Sequence, residues 1–263
     1  MKIIYPDNAS VIDAGPAETL AEFGVGHLTS EHLAQPWKAS AGAGVDSVTI
    51  KLRSIGPASA VAVMGMRLDG LLVEVFSDAA LTQPVGSKQY SGIEQELFGP
   101  SLVDSCWFEF PQQTLAWFQL TVGTSSNENP SIGRVSTGIA VALVNPKWGY
   151  GQGIQDYSSV NRARNGAKVG RGKLTARNPK LTLEIPIQQP GARSQYDSLI
   201  ELYQQVKSVT PFACLAVEGR TNDLGESLDH RYILWASFAQ NSFNATEGSY
   251  SIHTIDFTLE EHL

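Results

Sequence analysis

The sequence predicts a mainly β protein: an N-terminal antiparallel β-sandwich, then a C-terminal β-barrel or sandwich carrying one packed α-helix. Three observations support this. Period-two alternation of apolar and polar residues recurs in short runs through residues 45–145. Turns rich in Gly, Pro, Asp, Asn and Ser separate those runs, and one segment alone, about 194–208, has clear helical spacing. Many short strands at close intervals favour a sandwich over alternating helices and parallel strands.

Taken in order, Val48, Ile50 and Leu52 alternate with Thr49, Lys51 and Arg53, and the pattern returns at residues 72–76, at Phe108 and Phe110, and at 117–122. Leu181, Leu183, Ile185 and Ile187 form a further strand, whose Pro186 predicts an edge position. Tyr196, Leu199, Ile200, Tyr203 and Val206 lie on one face of the helix, with Ser194 as its predicted N-cap and Pro211 beyond its end. Strands over 212–217, 232–238 and 249–259 complete the chain. In the last, Tyr250 and Ile252 stand on the opposite phase to Ile255, Phe257 and Leu259, which predicts a β-bulge near His253 and Thr254.

Composition places the chain among ordinary globular proteins: 263 residues, 42% hydrophobic, 17% charged, net charge −7. That balance argues against a nucleic-acid protein as a whole, since phosphate binding needs a basic surface. The charge is unevenly placed. Residues 145–180 hold eight cations and one acid, Asp156, which leaves −14 for the remainder. The shift predicts a sandwich over 1–144, a basic, Gly-rich arm or hairpin over 145–180 belonging to the second domain, and the barrel with its helix over 181–263. The N-terminus lacks a secretory pattern and no run reaches the length of a membrane span, so a soluble protein made in the cytosol is expected. Cys106 and Cys214 read as small buried hydrophobes, with a long-range disulfide as the alternative.

Chemistry-bearing motifs are scarce. Gly170-Arg171-Gly172-Lys173 has the sound of a phosphate loop, but Ala167 and Leu174 stand where that loop needs a glycine and a hydroxyl residue. The five histidines are scattered and the cysteines are unpaired in sequence, so neither metal nor cofactor is expected. Asp104, Glu109, Glu94 and Glu96 are the carboxylates from which a glycosidase pair would be drawn. Trp37, Trp107 and Trp117 are the rings on which a sugar face could stack. The Trp117-Phe118 pair must send one ring inward, and core packing is the favoured reading of Trp117. Trp37, between Pro36 and Lys38, is expected to be the open one and is the candidate glycan-stacking residue.

In their order, LAQPWKAS (33–40), the strand at 48–52, AVAVMG (60–65), VEVFSD (73–78), WFQLTV (117–122) and IGRV (132–135) resemble a galactose-binding-like, discoidin-type jelly roll. The version they resemble is that of minor tail proteins of tailed bacteriophages. GYGQGIQDYS (149–158) and NRARNGA (161–167) are similar to the segments that follow it there, and the C-terminal part resembles the tail-tube-like split barrel of distal tail and baseplate hub proteins.

The resemblance implies a non-enzymatic structural component of a phage tail tip or baseplate, which forms or joins a ring at the distal end of the tail tube. Its implied partners are copies of itself (a trimer or hexamer), the tail tube, the tape measure and the baseplate hub, with DNA only as passing cargo. The implied location is the virion. Arg162, Arg164, Lys168, Arg171, Lys173 and Arg177 are the candidate inter-subunit contacts, because a cationic arm suits the acidic surface of a neighbour. The alternative is a carbohydrate-binding module for host-surface polysaccharide; a cell-envelope glycan hydrolase is the third reading.

Overall fold

A computed structural model describes all residues except 14–22, 32, 34, 40–46, 92, 97–98, 103, 124–128, 148–150, 157–158, 163–167, 172–174, 187–191, 222–226, 247–251 and 263. It is mainly antiparallel β with one α-helix, and it divides into two compact units. The first joins Met1–Ala142 to Phe212–Leu234; the second joins Leu143–Pro211 to Trp235–Leu263. Both are discontinuous in sequence, whereas composition divides the chain into consecutive pieces. No composition shift marks residues 212–234, since a strand returning to an earlier sheet is as apolar as one that stays.

The first unit begins with β1 (Lys2–Ile4), β2 (Ala9–Asp13), β3 (Trp37–Lys38), β4 (Ser47–Ser54), β5 (Ala58–Met64), β6 (Gly70–Phe76) and β7 (Pro84–Ser91). It continues through β8 (Ile93–Glu96), β9 (Gly99–Leu102), β10 (Ser105–Gln113), β11 (Trp117–Gly123), β12 (Ser131–Ile132), β13 (Arg134–Gly138) and β14 (Ala140–Ala142). One sheet has the order β2-β4-β11-β6-β7, and a second has β10-β5-β13. The period-two pattern explains why they pack. Val48, Ile50 and Leu52 of β4, Phe118, Leu120 and Val122 of β11, and Leu71, Val73 and Val75 of β6 all point inward, and they meet Val61, Val63, Cys106, Phe110 and Val135 in one core. Phe110 and Phe118 touch edge to face at 5.7 Å.

The second unit holds β15 (Gly151–Asp156), β16 (Ser159–Arg162), β17 (Lys168–Arg171), β18 (Thr175–Pro186) and the helix α1 (Ala192–Val206). After β19 (Phe212–Leu215), which pairs with β1 in the first unit, come β20 (Ile233–Phe238), β21 (Asn244–Thr246) and β22 (Ile252–Glu261). The basic segment is a two-stage antiparallel hairpin: Gly151–Asp156 pairs with Lys180 to Thr175, and Ser159–Arg162 pairs with Arg171 to Lys168. Pro186 closes β18 as its last residue, where its missing N–H costs no interior ladder bond. The buried Tyr196, Leu199 and Val206 of α1 face the sheet, and Tyr203 stacks on Phe243 at 4.1 Å and meets Phe238 edge-on.

Two local expectations are corrected. The ladder between β18 and β22 runs unbroken from Lys180↔Thr258 to Pro186↔Ile252, so there is no bulge at His253. Ile252 points outward and His253 takes the inward position of the alternation, buried against the Tyr196 ring at 4.6 Å. An imidazole that finds an aromatic partner can fill an apolar slot, and the phase then need not change. The helix begins at Ala192, which puts Ser194 inside its first turn and not at the N-cap.

Candidate functional site

The first unit contains a cleft of about 790 Å³, a volume usual for small-ligand sites. Its walls come from four places: Lys2 on β1, Lys88 to Ser91 on β7, Ser105 to Glu109 on β10, and side chains of the returning segment, among them Glu218, Asp229 and His230. The aromatic wall follows from strand geometry. Trp107 and Glu109 are two residues apart, hence on the same face of β10, and the indole Nε1–H donates to the Glu109 carboxylate at 2.8 Å. From β7 the Tyr90 hydroxyl donates to the Trp107 carbonyl at 2.7 Å, and the Lys88 ammonium lies 5.1 Å from the Tyr90 ring centre. Phe108 leans against Gly86, where a Cβ would stand 3.2 Å from its ring.

The polar side is equally fixed. The Lys2 ammonium donates to Glu218 at 2.6 Å and lies 2.7 Å from a Glu109 oxygen, tying β10 to the returning segment. Burial alone would lower its pKa, but its hydrogen bonds to Glu109 and Glu218 outweigh that and hold it above the ordinary lysine range. Asp229 accepts the backbone N–H groups of Gly219 and Arg220. Gly219 has φ +78°, a conformation that suits glycine at this turn. Cys106 lines the floor, and burial pushes its thiol up to about 12, so it is a neutral wall. Burial, with the Cys106 thiol beside it, also raises the Tyr90 hydroxyl.

This arrangement can hold a ligand that offers one apolar face and several hydroxyl or amide groups. Trp107, 8% exposed, and the half-buried Tyr90 and Phe108 supply the face, while Lys88, Gln89 and His230 add polar groups to the wall. Of the residues singled out in the sequence, Trp107 and Glu109 are brought together here. Tyr90, Lys2 and Glu218 carry no signal in the sequence, because lone residues far apart have no spacing to read.

Trp37 requires a correction. It is 0% exposed, paired with Ile132 across β3 and β12, and part of the sandwich core, so it offers no surface to a sugar. Its local sequence resembles a loop because β3 is only two residues long. Trp117 is the converse. Phe118 takes the core side of β11 and Trp117 faces outward, half-buried, against the expectation of core packing.

In the basic hairpin Arg162 stands opposite Lys168, and Arg171 opposite Ser159. Arg164 and Lys173 lie outside the described residues. Arg177 is held within its own unit: its guanidinium pairs with the buried Glu261 carboxylate at 2.5 Å, and its backbone N–H donates to the same group at 2.8 Å. Asp104 is exposed, and Glu94 and Glu96 lie on β8. Among the described residues no group of three or more side chains is placed to hold a metal ion, and no helix is long and apolar enough to cross a membrane.

No protein-family model matches the chain, and no curated protein matches it in sequence. Solved structures align with about half its length. The C-terminal domain of a chitobiase from Bacteroides fragilis is 8% identical, covers 53% of this chain and 99% of its own, and gives a TM-score of 0.38. The module CBM32-3 from a family 31 glycoside hydrolase of Clostridium perfringens is 12% identical over 50% of this chain and 90% of its own, with a TM-score of 0.39. Chitosan-binding module 1 from a chitosanase/glucanase of Paenibacillus sp. IK-5 is 12% identical over 50% and 93%, with a TM-score of 0.33.

Proposed function

We propose that the first unit is a carbohydrate-binding module whose ligand, a surface polysaccharide, enters the cleft between β7, β10 and the returning segment. The observation that carries this reading is the braced aromatic wall: Trp107 is held at its indole by Glu109 and at its carbonyl by Tyr90, beside charged groups already fixed by their own partners. A ring surface held rigid before the ligand arrives loses little entropy on binding, and hydroxyl groups find donors and acceptors around it. Titration of the full chain with a panel of neutral and amino-sugar oligosaccharides, followed by calorimetry, tests it. Trp107→Ala should weaken binding by about tenfold or more, worth about 1.4 kcal/mol, and Tyr90→Phe, which keeps the ring, should weaken it less. Binding untouched by both changes, or none by any oligosaccharide, rejects the cleft.

A second reading rests on a different observation, the two-stage basic hairpin of the second unit. In it the protein is a structural component of a phage tail tip, its hairpin seated on the acidic surface of a neighbouring copy or tail protein. Charge reversal at Arg162, Arg164 and Lys168 should then abolish assembly, read as mass in solution, while leaving the monomer folded. Unchanged assembly, or a chain that stays monomeric with and without its tail partners, rejects it.

A further inference from the structure

The outward face of the five-stranded sheet carries a second set of groups arranged for a ligand. Because inward and outward residues alternate, the side chains that do not enter the core form rows across the strands. One row runs Arg53 (β4), Trp117 (β11), Phe76 (β6); the next runs Lys51, Gln119, Glu74. Rows are about 7 Å apart along the strands and neighbouring strands about 4.8 Å apart, so the six side chains occupy a patch roughly 10 Å by 7 Å. Trp117 lies half-buried at its centre with Phe76 buried beside it, while Lys51 and Arg53 are exposed at its β4 side.

Neither cation forms an ion pair among the described residues; Asp13 of β2 stands opposite Lys51 in the ladder, whereas Arg53 stands opposite Ser10 and is the cation with no acid across from it. On the opposite side Glu74 is engaged, accepting a hydrogen bond from the Gln119 amide at 3.2 Å. The patch is therefore polarised: a half-buried aromatic ring, Arg53 and Lys51 along its β4 side, and a fixed hydrogen-bonding pair along the other.

We infer that this face binds an acidic polysaccharide: a sugar ring lies on Trp117, its carboxylates meet Arg53 and Lys51, and its hydroxyls meet Gln119 and Glu74. The charge pattern selects this occupant. A neutral glycan leaves the two cations unused, and a polyanion without flat apolar faces leaves the indole unused. The orientation is set as well, because Glu74 repels a carboxylate placed on its side. The site is separate from the cleft and does not rest on the cleft's reading.

The test measures binding of polygalacturonate, alginate and polysialic acid to the full chain by calorimetry and by quenching of tryptophan fluorescence. Fully methyl-esterified polygalacturonate, which has the same rings without the charge, serves as the neutral probe. At least one acidic glycan should bind, about tenfold or more tighter than the ester if the paired cations act together. Trp117→Ala and the double change Lys51→Glu with Arg53→Glu should each weaken it by about tenfold or more. Added salt should weaken it progressively. Trp107→Ala should leave it unchanged, which separates this face from the cleft. Trp117→Phe, which retains a ring and the fold, should keep most of the affinity. The inference is overturned if none of the three acidic glycans binds, if the ester binds equally well, or if the Trp117 and cation variants bind within about twofold of the parent.

Discussion

The guanidinium of Arg134 on β13 donates to the Asp7 carboxylate at 2.5 Å, joining residues 127 positions apart inside the first unit. The same arginine reaches the Ser30 carbonyl, and the other Asp7 oxygen accepts the N–H groups of Ala9 and Thr137, each at 3.1 Å. One carboxylate thus fixes the turn before β2, the strand β13 and the Arg134 side chain together. Removing it leaves a buried positive charge, so Asp7→Ala should destabilise the protein by about 3–5 kcal/mol. Asp7→Asn keeps an acceptor for the amides and should cost less. Adding Arg134→Met to Asp7→Ala should restore part of the loss, read as the urea midpoint.

Gly138 ends β13 with no room beside it. A Cβ there would run into the Pro6 carbonyl oxygen and stand 3.0 Å from the Ile4 side chain. Its need is for close backbone approach, not for an unusual backbone angle. Gly138→Ala should therefore destabilise the first unit by about 1–3 kcal/mol through forced backbone movement, although alanine ordinarily stabilises a strand position relative to glycine. Equal urea midpoints for the two proteins would show that Pro6 moves aside freely.

Alternation at Val48, Ile50 and Leu52 reveals both a strand and its buried face, because burial imposes that period directly. The helix was legible for the same reason at a different period. Which of Trp117 and Phe118 turns inward was not, since the pair is compatible with either phase until β4 and β6 flank it on both sides. The cleft is less legible still. Lys2, Tyr90, Trp107 and Glu218 meet only because residues 212–234 return to the first unit, and no local pattern records a return. Trp37 misleads because a two-residue strand beside a proline has too few positions to display a period.

His253 tests how an imidazole fits an apolar slot. It is buried on the inward face of β22, its ring 4.6 Å from Tyr196, and its Nδ1 lacks a hydrogen-bond partner. An unsatisfied buried nitrogen costs about 1–3 kcal/mol, and phenylalanine removes it while keeping a ring against Tyr196. The larger ring returns part of that gain as crowding. His253→Phe should stabilise the protein by about 1 kcal/mol in thermal or urea unfolding; a loss of that size would mean the nitrogen is satisfied in solution.

The cleft wall makes the first unit sensitive to alkali. Burial raises the Cys106 thiol from 9.0 to about 12 and raises the Tyr90 hydroxyl above 10.0, and the bonds to Glu109 and Glu218 raise Lys2 above 10.5. All three groups hold their protons more tightly when folded. Each contributes stability that is complete below its unfolded value and is lost as pH rises towards its folded one. These groups should make stability fall above about pH 9, with a slope of up to about 1.4 kcal/mol per pH unit for each group that the unfolded chain alone has released. Cys214, raised likewise to about 12 by burial, adds to the early part of that fall. Cys106→Ala should shallow the slope from pH 9 upward, and Tyr90→Phe should shallow it from pH 10. Urea unfolding at pH 7, 9, 10 and 11 reads both, and a stability curve that is flat to pH 11, or one that both variants leave unchanged, refutes the assignment of the slope to this wall.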